Sequence, residues 1–153
     1  MIENKKASDL EYHLGFWLRF VSNHVSFSFR DRIAKYDITV AEWVVLRSLF
    51  NRTRCTLSTL SKHIGIDLGA TSRLIERLLK KKLVTRKIST ADRRFVELEL
   101  SPAGRKLIPK LAHEADINDE IFFNPLSRED KNHLLRIMKT LVKLHNLTEK
   151  PTE

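Results

Sequence analysis

The chain is poor in the residues on which most small-molecule chemistry depends. Its 153 residues include four glycines, Gly15, Gly65, Gly69 and Gly104, too few and too scattered for a phosphate-cradling loop or a dinucleotide fingerprint. It has one cysteine, Cys55, which can form no disulfide within the chain and anchors no thiolate metal motif, in agreement with a reducing compartment. The histidines His13, His24, His63, His113, His133 and His145 include no i,i+4 pair, so a zinc site has no support from spacing. No apolar run approaches the roughly 18 residues of a spanning helix. The opening MIENKKASDLEYH has no apolar signal core, and a cytoplasmic protein is expected. There is no internal repeat or low-complexity tract. No catalytic residue, metal site or cofactor is expected.

What is present is a single domain's length of ordinary globular composition, 42% hydrophobic and 31% charged, enough to bury a core. The net charge of +9 is concentrated. Residues 52–94 hold twelve Lys or Arg against three acids, and the remaining 16 bases and 16 acids cancel. A charge run is commonly no more than a solvated face, but confinement of the whole excess to one segment favours a polyanionic partner.

Helical periodicity dominates the two chain ends. Over 10–36, Leu10, Leu14, Trp17, Val21, Val25, Phe29 and Ile33 form one stripe, with Phe16, Phe20 and Phe27 off it. A helix of that length, roughly 40 Å, is too long to be buried by one small lobe, and a second subunit is the natural cover. Thr39 and Glu42 have capping-box spacing for a helix with Trp43, Leu46 and Phe50 on its apolar face. Ser101-Pro102 opens a helix over about 102–123, with a kink expected at Pro109. Ser127 and Asp130 start a last helix through Leu134, Met138 and Leu141 to about Leu147, after which the tail TEKPTE should be disordered. The helices at 10–36 and 102–147 read as a dimerisation lobe flanking a compact basic unit at 38–100.

In that unit, Leu57, Leu60 and Ile64 face inward, Gly65 supplies a tight turn, and a second helix starts near Asp67 and runs over 68–82. This is helix-turn-helix spacing. On the second helix Leu68, Thr71, Ile75, Leu78 and Leu79 share one side, while Gly69, Ala70, Arg73, Glu76, Arg77 and Lys80 occupy the other. Small residues permit close approach to a major groove, Thr71 and Ser72 can bond phosphates or base edges, and Arg73 and Arg77 can pair with guanine.

Two strands follow within a wing at 84–100, Val84–Ile88 and Phe95–Leu100, joined by Ser89-Thr90-Ala91-Asp92-Arg93-Arg94, a turn with an acid, two arginines and no glycine. Helix, helix, basic helix and hairpin in this order make a winged helix-turn-helix, so the fold class is mainly α (α+β). The stretch ATSRLIERLLKKKLVTRKISTADRRFVELELSPAGRKL resembles the recognition helix, wing and return helix of MarR-type transcriptional regulators. Asp92-Arg93-Arg94, Leu83-Val84-x-Arg86 and Ser101-Pro102-x-Gly104 carry the likeness, which extends over most of the chain as that family's dimeric layout. One position departs: Lys82 stands where the family usually has glycine, at a helix end where a left-handed cap favours Gly.

The resemblance implies a homodimeric regulator of double-stranded DNA with a pseudo-palindromic operator, usually a repressor. Arg93 and Arg94 would enter a minor groove, with Asp92 bracing an arginine and Arg86 at the base of the wing. It also implies release by a small aromatic or phenolic anion bound between the lobes, with His13, Phe16, Trp17, Arg19, Trp43 and Arg47 as candidate lining. Core packing is the competing role for Trp17 and Trp43. Two other readings stay open: a winged domain that contacts RNA or protein, and a metal-responsive regulator. Cys55 reads as a plain small residue.

Overall fold

The computed structural model describes residues 7–52 and 55–152; Arg54 of the basic segment lies outside them. The elements are α1 (Leu14–Ala34), α2 (Val40–Phe50), α3 (Leu57–Ile64), α4 (Leu68–Lys80), β1 (Val84–Ile88), β2 (Val96–Leu100), α5 (Pro102–Phe123) and α6 (Arg128–Leu144). Local chemistry sets most of the starts. Thr39 accepts the Glu42 N–H at 3.2 Å while the Glu42 carboxylate accepts the Thr39 N–H at 2.9 Å, satisfying two otherwise orphaned donors. Thr56, Asp67, Ser101 and Ser127 each accept one backbone N–H from the first turn that follows them.

Three departures from the sequence reading have identifiable physical causes. Residues 10–36 are not one helix: Leu10–Tyr12 form a 3-10 turn, His13 is extended, and α1 starts only at Leu14. Leu10 and Leu14 are both strongly exposed, so no packing holds the first turn in register. At the other end α6 stops at Leu144. Asn146 adopts φ 51°, and the Leu147 N–H reaches Val142 C=O at 3.0 Å as the Asn146 N–H reaches Lys143 C=O at 3.3 Å, the paired bonds of a left-handed helix cap. The tail beyond it is docked, contrary to the expected disorder. Lys150 N–H donates to Ile64 C=O at 2.8 Å, and Glu149 lies so close to Gly65 that a Cβ there would sit 2.7 Å from its Cα. Gly65, with φ 83°, is thus required twice, for its conformation and for the tail.

The end of α4 is built the same way. Leu83 N–H bonds Leu78 C=O at 3.0 Å and Lys82 N–H bonds Leu79 C=O at 2.9 Å, with Lys82 at φ 58°. The left-handed cap forms despite the lysine. The next joint depends on it: Ser101 Oγ donates to Lys82 C=O at 2.7 Å and its N–H to Leu83 C=O at 3.0 Å. Gly104, in the first turn of α5, lies so close to that joint that a Cβ would collide with the Leu83 carbonyl oxygen.

β1 and β2 pair antiparallel with Val84 opposite Leu100 and Ile88 opposite Val96. A bridge between Thr56 and Glu97 adds the chain before α3 to the sheet. The buried cluster of Ile33, Val45, Leu46, Leu49, Leu60, Ile64, Ile75, Leu78, Val84, Leu98, Leu100, Ile108 and Leu111 lies where α2–α4 and the hairpin meet the ends of α1 and α5. On α2 the buried side chains are Glu42, Val45, Leu46 and Leu49, with Trp43 half-buried and Phe50 exposed, so only Leu46 of the expected face is interior. Toward the chain ends the cover thins. Leu14, Trp17, Leu18, Phe20 and Val21 of α1 are exposed, as are Leu135, Ile137, Met138, Leu141, Val142 and Leu144 of α6; α6 has no buried residue. Glu114 of α5, itself buried, ties the inner end of α1 down through Arg32 at 3.2 Å and Lys35 at 2.5 Å.

Candidate nucleic-acid interface

The outward side of α4 is narrower than its sequence implies. Gly69 and Arg73 are exposed, Ala70 and Ser72 half-buried, and the Asp67 carboxylate caps the helix through Ala70 N–H at 2.8 Å. Among the described residues no carboxylate lies within ion-pair distance of Arg73. Thr71 was a candidate contact, but it is fully buried and its hydroxyl donates to Asp67 C=O at 2.9 Å. It belongs to the core side of the helix. Leu68, expected inside, is exposed instead.

Two more candidates are engaged elsewhere. Arg77 Nε donates to Glu42 Oε1 at 3.2 Å, which anchors its half-exposed side chain on the α2 side. Arg86 on β1 is ion-paired with Glu76 of α4, a cross-link that sets the wing against the helix. Neither pairing is visible in sequence spacing, since 35 and 10 residues separate the partners. Glu42 was legible only as a capping residue.

The wing tip explains its own lack of glycine. Ser89 is buried; its hydroxyl accepts the N–H groups of Ala91 and Asp92 at 3.3 and 3.4 Å, and its own N–H donates to Phe95 C=O at 2.9 Å. Asp92 Oδ1 accepts the Arg94 N–H at 3.0 Å, and Phe95 N–H closes the turn on Asp92 C=O at 3.0 Å. Side-chain oxygens organise this turn, and none of its residues has positive φ. The Asp92 carboxylate also grips the Arg94 guanidinium in a fork, Nη2 to Oδ2 at 2.8 Å and Nε to Oδ1 at 3.0 Å. That bond holds the Asp92 carboxyl below its ordinary range and raises Arg94 further. The Arg94 side chain is still 86% exposed, so it is aimed and not sequestered. Arg93 is exposed and makes no ion pair among the described residues.

The six residues proposed for a ligand crevice do not converge. His13 and Arg19 are exposed, and Phe16 meets Trp17 edge-to-face and Phe20 at a tilt. Trp17 borders an apolar cavity of about 590 Å³ with Leu18, Val21 and Met138. Trp43 packs against Phe29, ring centroids 6.3 Å apart, twelve residues and about 18 Å further along α1. Trp43 and Arg47 face a groove crossed by Lys150 and Pro151 of the tail, beside His63. Burial, Arg52 and Lys150 together hold the His63 imidazole below its ordinary pKa. A larger cavity, about 770 Å³, lies between α1 and the start of α2, lined by Ser26, Phe27, Arg30, Ile38 and Thr39. Cys55 is buried, which pushes its thiol up and makes it a poor nucleophile. Among the described residues no group of three His, Cys, Asp or Glu could hold a metal, and no helix is long and apolar enough to cross a membrane.

Three helices, a bridging segment and a basic hairpin in this order define a winged helix-turn-helix, the class of fold that presents one helix and one wing to DNA. Comparison with known proteins narrows the class. Residues 38–96 match the model of the MarR family. The transcriptional regulator SarZ of Staphylococcus haemolyticus is 25% identical over 138 residues, spanning 90% of this chain and 92% of SarZ. BpsR of Bordetella bronchiseptica, in a structure concerned with regulation of its DNA binding by 6-hydroxynicotinic acid, superposes with TM-score 0.78 at 26% identity over 88% of this chain and 96% of BpsR. A cysteine-to-serine mutant of MarR from E. coli, complexed with operator DNA, gives TM-score 0.78 at 25% identity over 88% of this chain and 99% of MarR. Residues 38–96 are thus a MarR-family domain, and over most of its length the chain is similar to DNA-binding transcriptional regulators of that family.

Proposed function

We propose that the protein is a homodimeric repressor that binds a pseudo-palindromic double-stranded operator and is released by a small aromatic anion. The observation that carries the DNA half is the placement of Arg73 and Arg94: both are exposed, one on the outward face of α4 and the other held out from the wing by Asp92. Arg73, Ser72, Gly69 and Ala70 would face base edges and Arg93 and Arg94 the minor groove, with the wing adding affinity more than sequence preference. The dimer half rests on the many exposed leucines, valines and aromatics of α1 and α6, since large exposed apolar patches commonly mark protein contact sites. A second copy related by a two-fold axis would cover both faces and place two α4 helices for two half-sites.

The effector half draws on the BpsR likeness, since 6-hydroxynicotinic acid is an aromatic acid. In this chain the cavity between α1 and α2 suits such a ligand better than the six residues first considered, because it sets Phe27 beside the Arg30 guanidinium, 5.0 Å from the ring centroid. Fluorescence anisotropy of labelled duplex DNA and of RNA of the same sequence tests the DNA reading. Preference for DNA, with log affinity falling linearly in log salt, is expected; equal affinity for RNA sinks it and favours an RNA-binding module. For the effector, an aromatic carboxylate must weaken DNA binding by the same factor by which DNA weakens its own binding. Quenching of tryptophan fluorescence with unchanged DNA affinity would leave only a fortuitous pocket. Sedimentation of a folded 17.9 kDa monomer would contradict the dimer.

A further inference from the structure

Glu42 is fully buried, an unusual position for an acid in the first turn of a helix. The capping box needs only an acceptor there, a role glutamine fills equally well. What the charge adds is a pair of cations from the recognition helix: Oε1 takes Arg77 Nε at 3.2 Å and Oε2 takes Lys81 Nζ at 2.9 Å. Lys81 is held a second time by Asp37, through its carbonyl and, at 3.5 Å, its carboxylate. The geometry of α4 produces this arrangement. Arg73, Arg77 and Lys81 are spaced four apart, and each step of four turns about 40° around the helix axis. The row therefore starts on the outward face at Arg73 and winds toward α2, where the buried carboxylate waits.

From this we infer that Glu42 is a positioning residue that sets DNA specificity: it fixes the angle at which α4 is presented and withholds Arg77 and Lys81 from the phosphate backbone. Non-specific affinity depends on the number of cations that can displace counterions from DNA. Holding two of them on α2 lowers binding to unrelated sequence without removing a base contact, and discrimination between operator and bulk DNA rises. The inference rests on the operator-binding reading above.

The test compares the parent with E42Q, R77Q, R73Q and the E42Q/R77Q double variant, titrated by anisotropy against a selected operator and a random duplex over a range of salt. E42Q keeps the capping acceptor and frees Arg77, so binding to the random duplex should tighten several-fold. The slope of log affinity against log salt should steepen by about 0.9 for each cation released. R77Q should leave operator affinity within about twofold of the parent, R73Q should lower it more than about tenfold, and the double variant should lose the part of the steepening that Arg77 supplies, about 0.9 in slope. A merely structural Glu42 would lower the melting temperature and both affinities together at constant slope, and that result overturns the inference. So does a tenfold loss of operator affinity in R77Q with relaxed base preference, which would make Arg77 a base reader; this arm decides the matter if E42Q does not fold. A parent with no salt-dependent duplex binding overturns the operator reading itself, and the inference with it, whereas duplex binding with an unchanged E42Q slope removes only the role of Glu42.

Discussion

Replacing Gly104 with alanine adds one methyl group at the point where the first turn of α5 meets the carbonyl of Leu83. A flexible side chain could yield, but this carbonyl is backbone and already accepts the Ser101 N–H at 3.0 Å. Relief therefore requires α5 to back away as a unit. Overpacking of this kind costs about 1–3 kcal/mol, and stretching the Ser101 bonds to Lys82 and Leu83 adds about 1 kcal/mol. The better helix propensity of alanine returns up to ~1 kcal/mol. The net expectation is a loss of about 2–3 kcal/mol, which for a chain of this length lowers the melting temperature by roughly 4–12 °C. Thermal and urea unfolding measure it directly, with an unchanged urea slope showing that the unfolded state is not the cause. A G104A protein as stable as the parent, or more so, would refute the argument that the joint between α4 and α5 has no room for a Cβ.

K82G should stabilise the protein by up to about 1 kcal/mol, because the left-handed backbone at φ 58° strains any residue but glycine by more than glycine's extra unfolded-state freedom costs; a lower melting temperature would contradict it. D92A should weaken binding to operator and to unrelated A·T-rich duplex by similar factors, since it frees the Arg94 side chain without removing it. Tighter binding, the outcome that a bare charge count anticipates, would end the bracing role. Removing the tail after Leu147 should raise the His63 pKa part of the way toward its ordinary value, as the Lys150 charge and the cover given by Lys150 and Pro151 are lost while Arg52 remains. A histidine held low when folded favours stability at higher pH and loses it as pH falls through the ordinary imidazole range, so the truncated protein should lose less stability between about pH 7 and 5.5 than the parent. An unchanged His63 titration by NMR would mean that the tail does not cover this site.

What was legible in the chain is local. The capping residues Thr39, Ser101 and Ser127, the Gly65 turn and the alternation of the wing each declare themselves within four or five residues. The Asp92 brace came from the family resemblance and not from local spacing, and the resemblance left open which arginine it holds. The buried face of α2 was not, because VAEWVVLRSLF is apolar on several sides and neighbouring elements decide which side is covered. Long-range electrostatics were also hidden: no pattern along the chain says that Arg77 turns to Glu42 or Arg86 to Glu76. The tail was read as disordered from its composition, yet its partner, Gly65, lies more than 80 residues away in a turn whose glycine already had a sufficient local reason. The candidate ligand residues fall into separate groups within a single copy for a reason of length, since a helix that spans roughly 30 Å holds Trp17 away from the neighbours of Trp43.

The central claim is that two copies of this chain present α4 and the wing to symmetric halves of a DNA site. Selection from a random duplex pool, followed by sequencing of what the protein retains, tests it most directly. An inverted repeat is expected, with half-site centres about 10–10.5 base pairs apart, strong base preference where Arg73 reaches and only an A·T bias where the wing falls. Enrichment of asymmetric, unrepeated sites, or no enrichment at all from a pool that the protein binds, would contradict it.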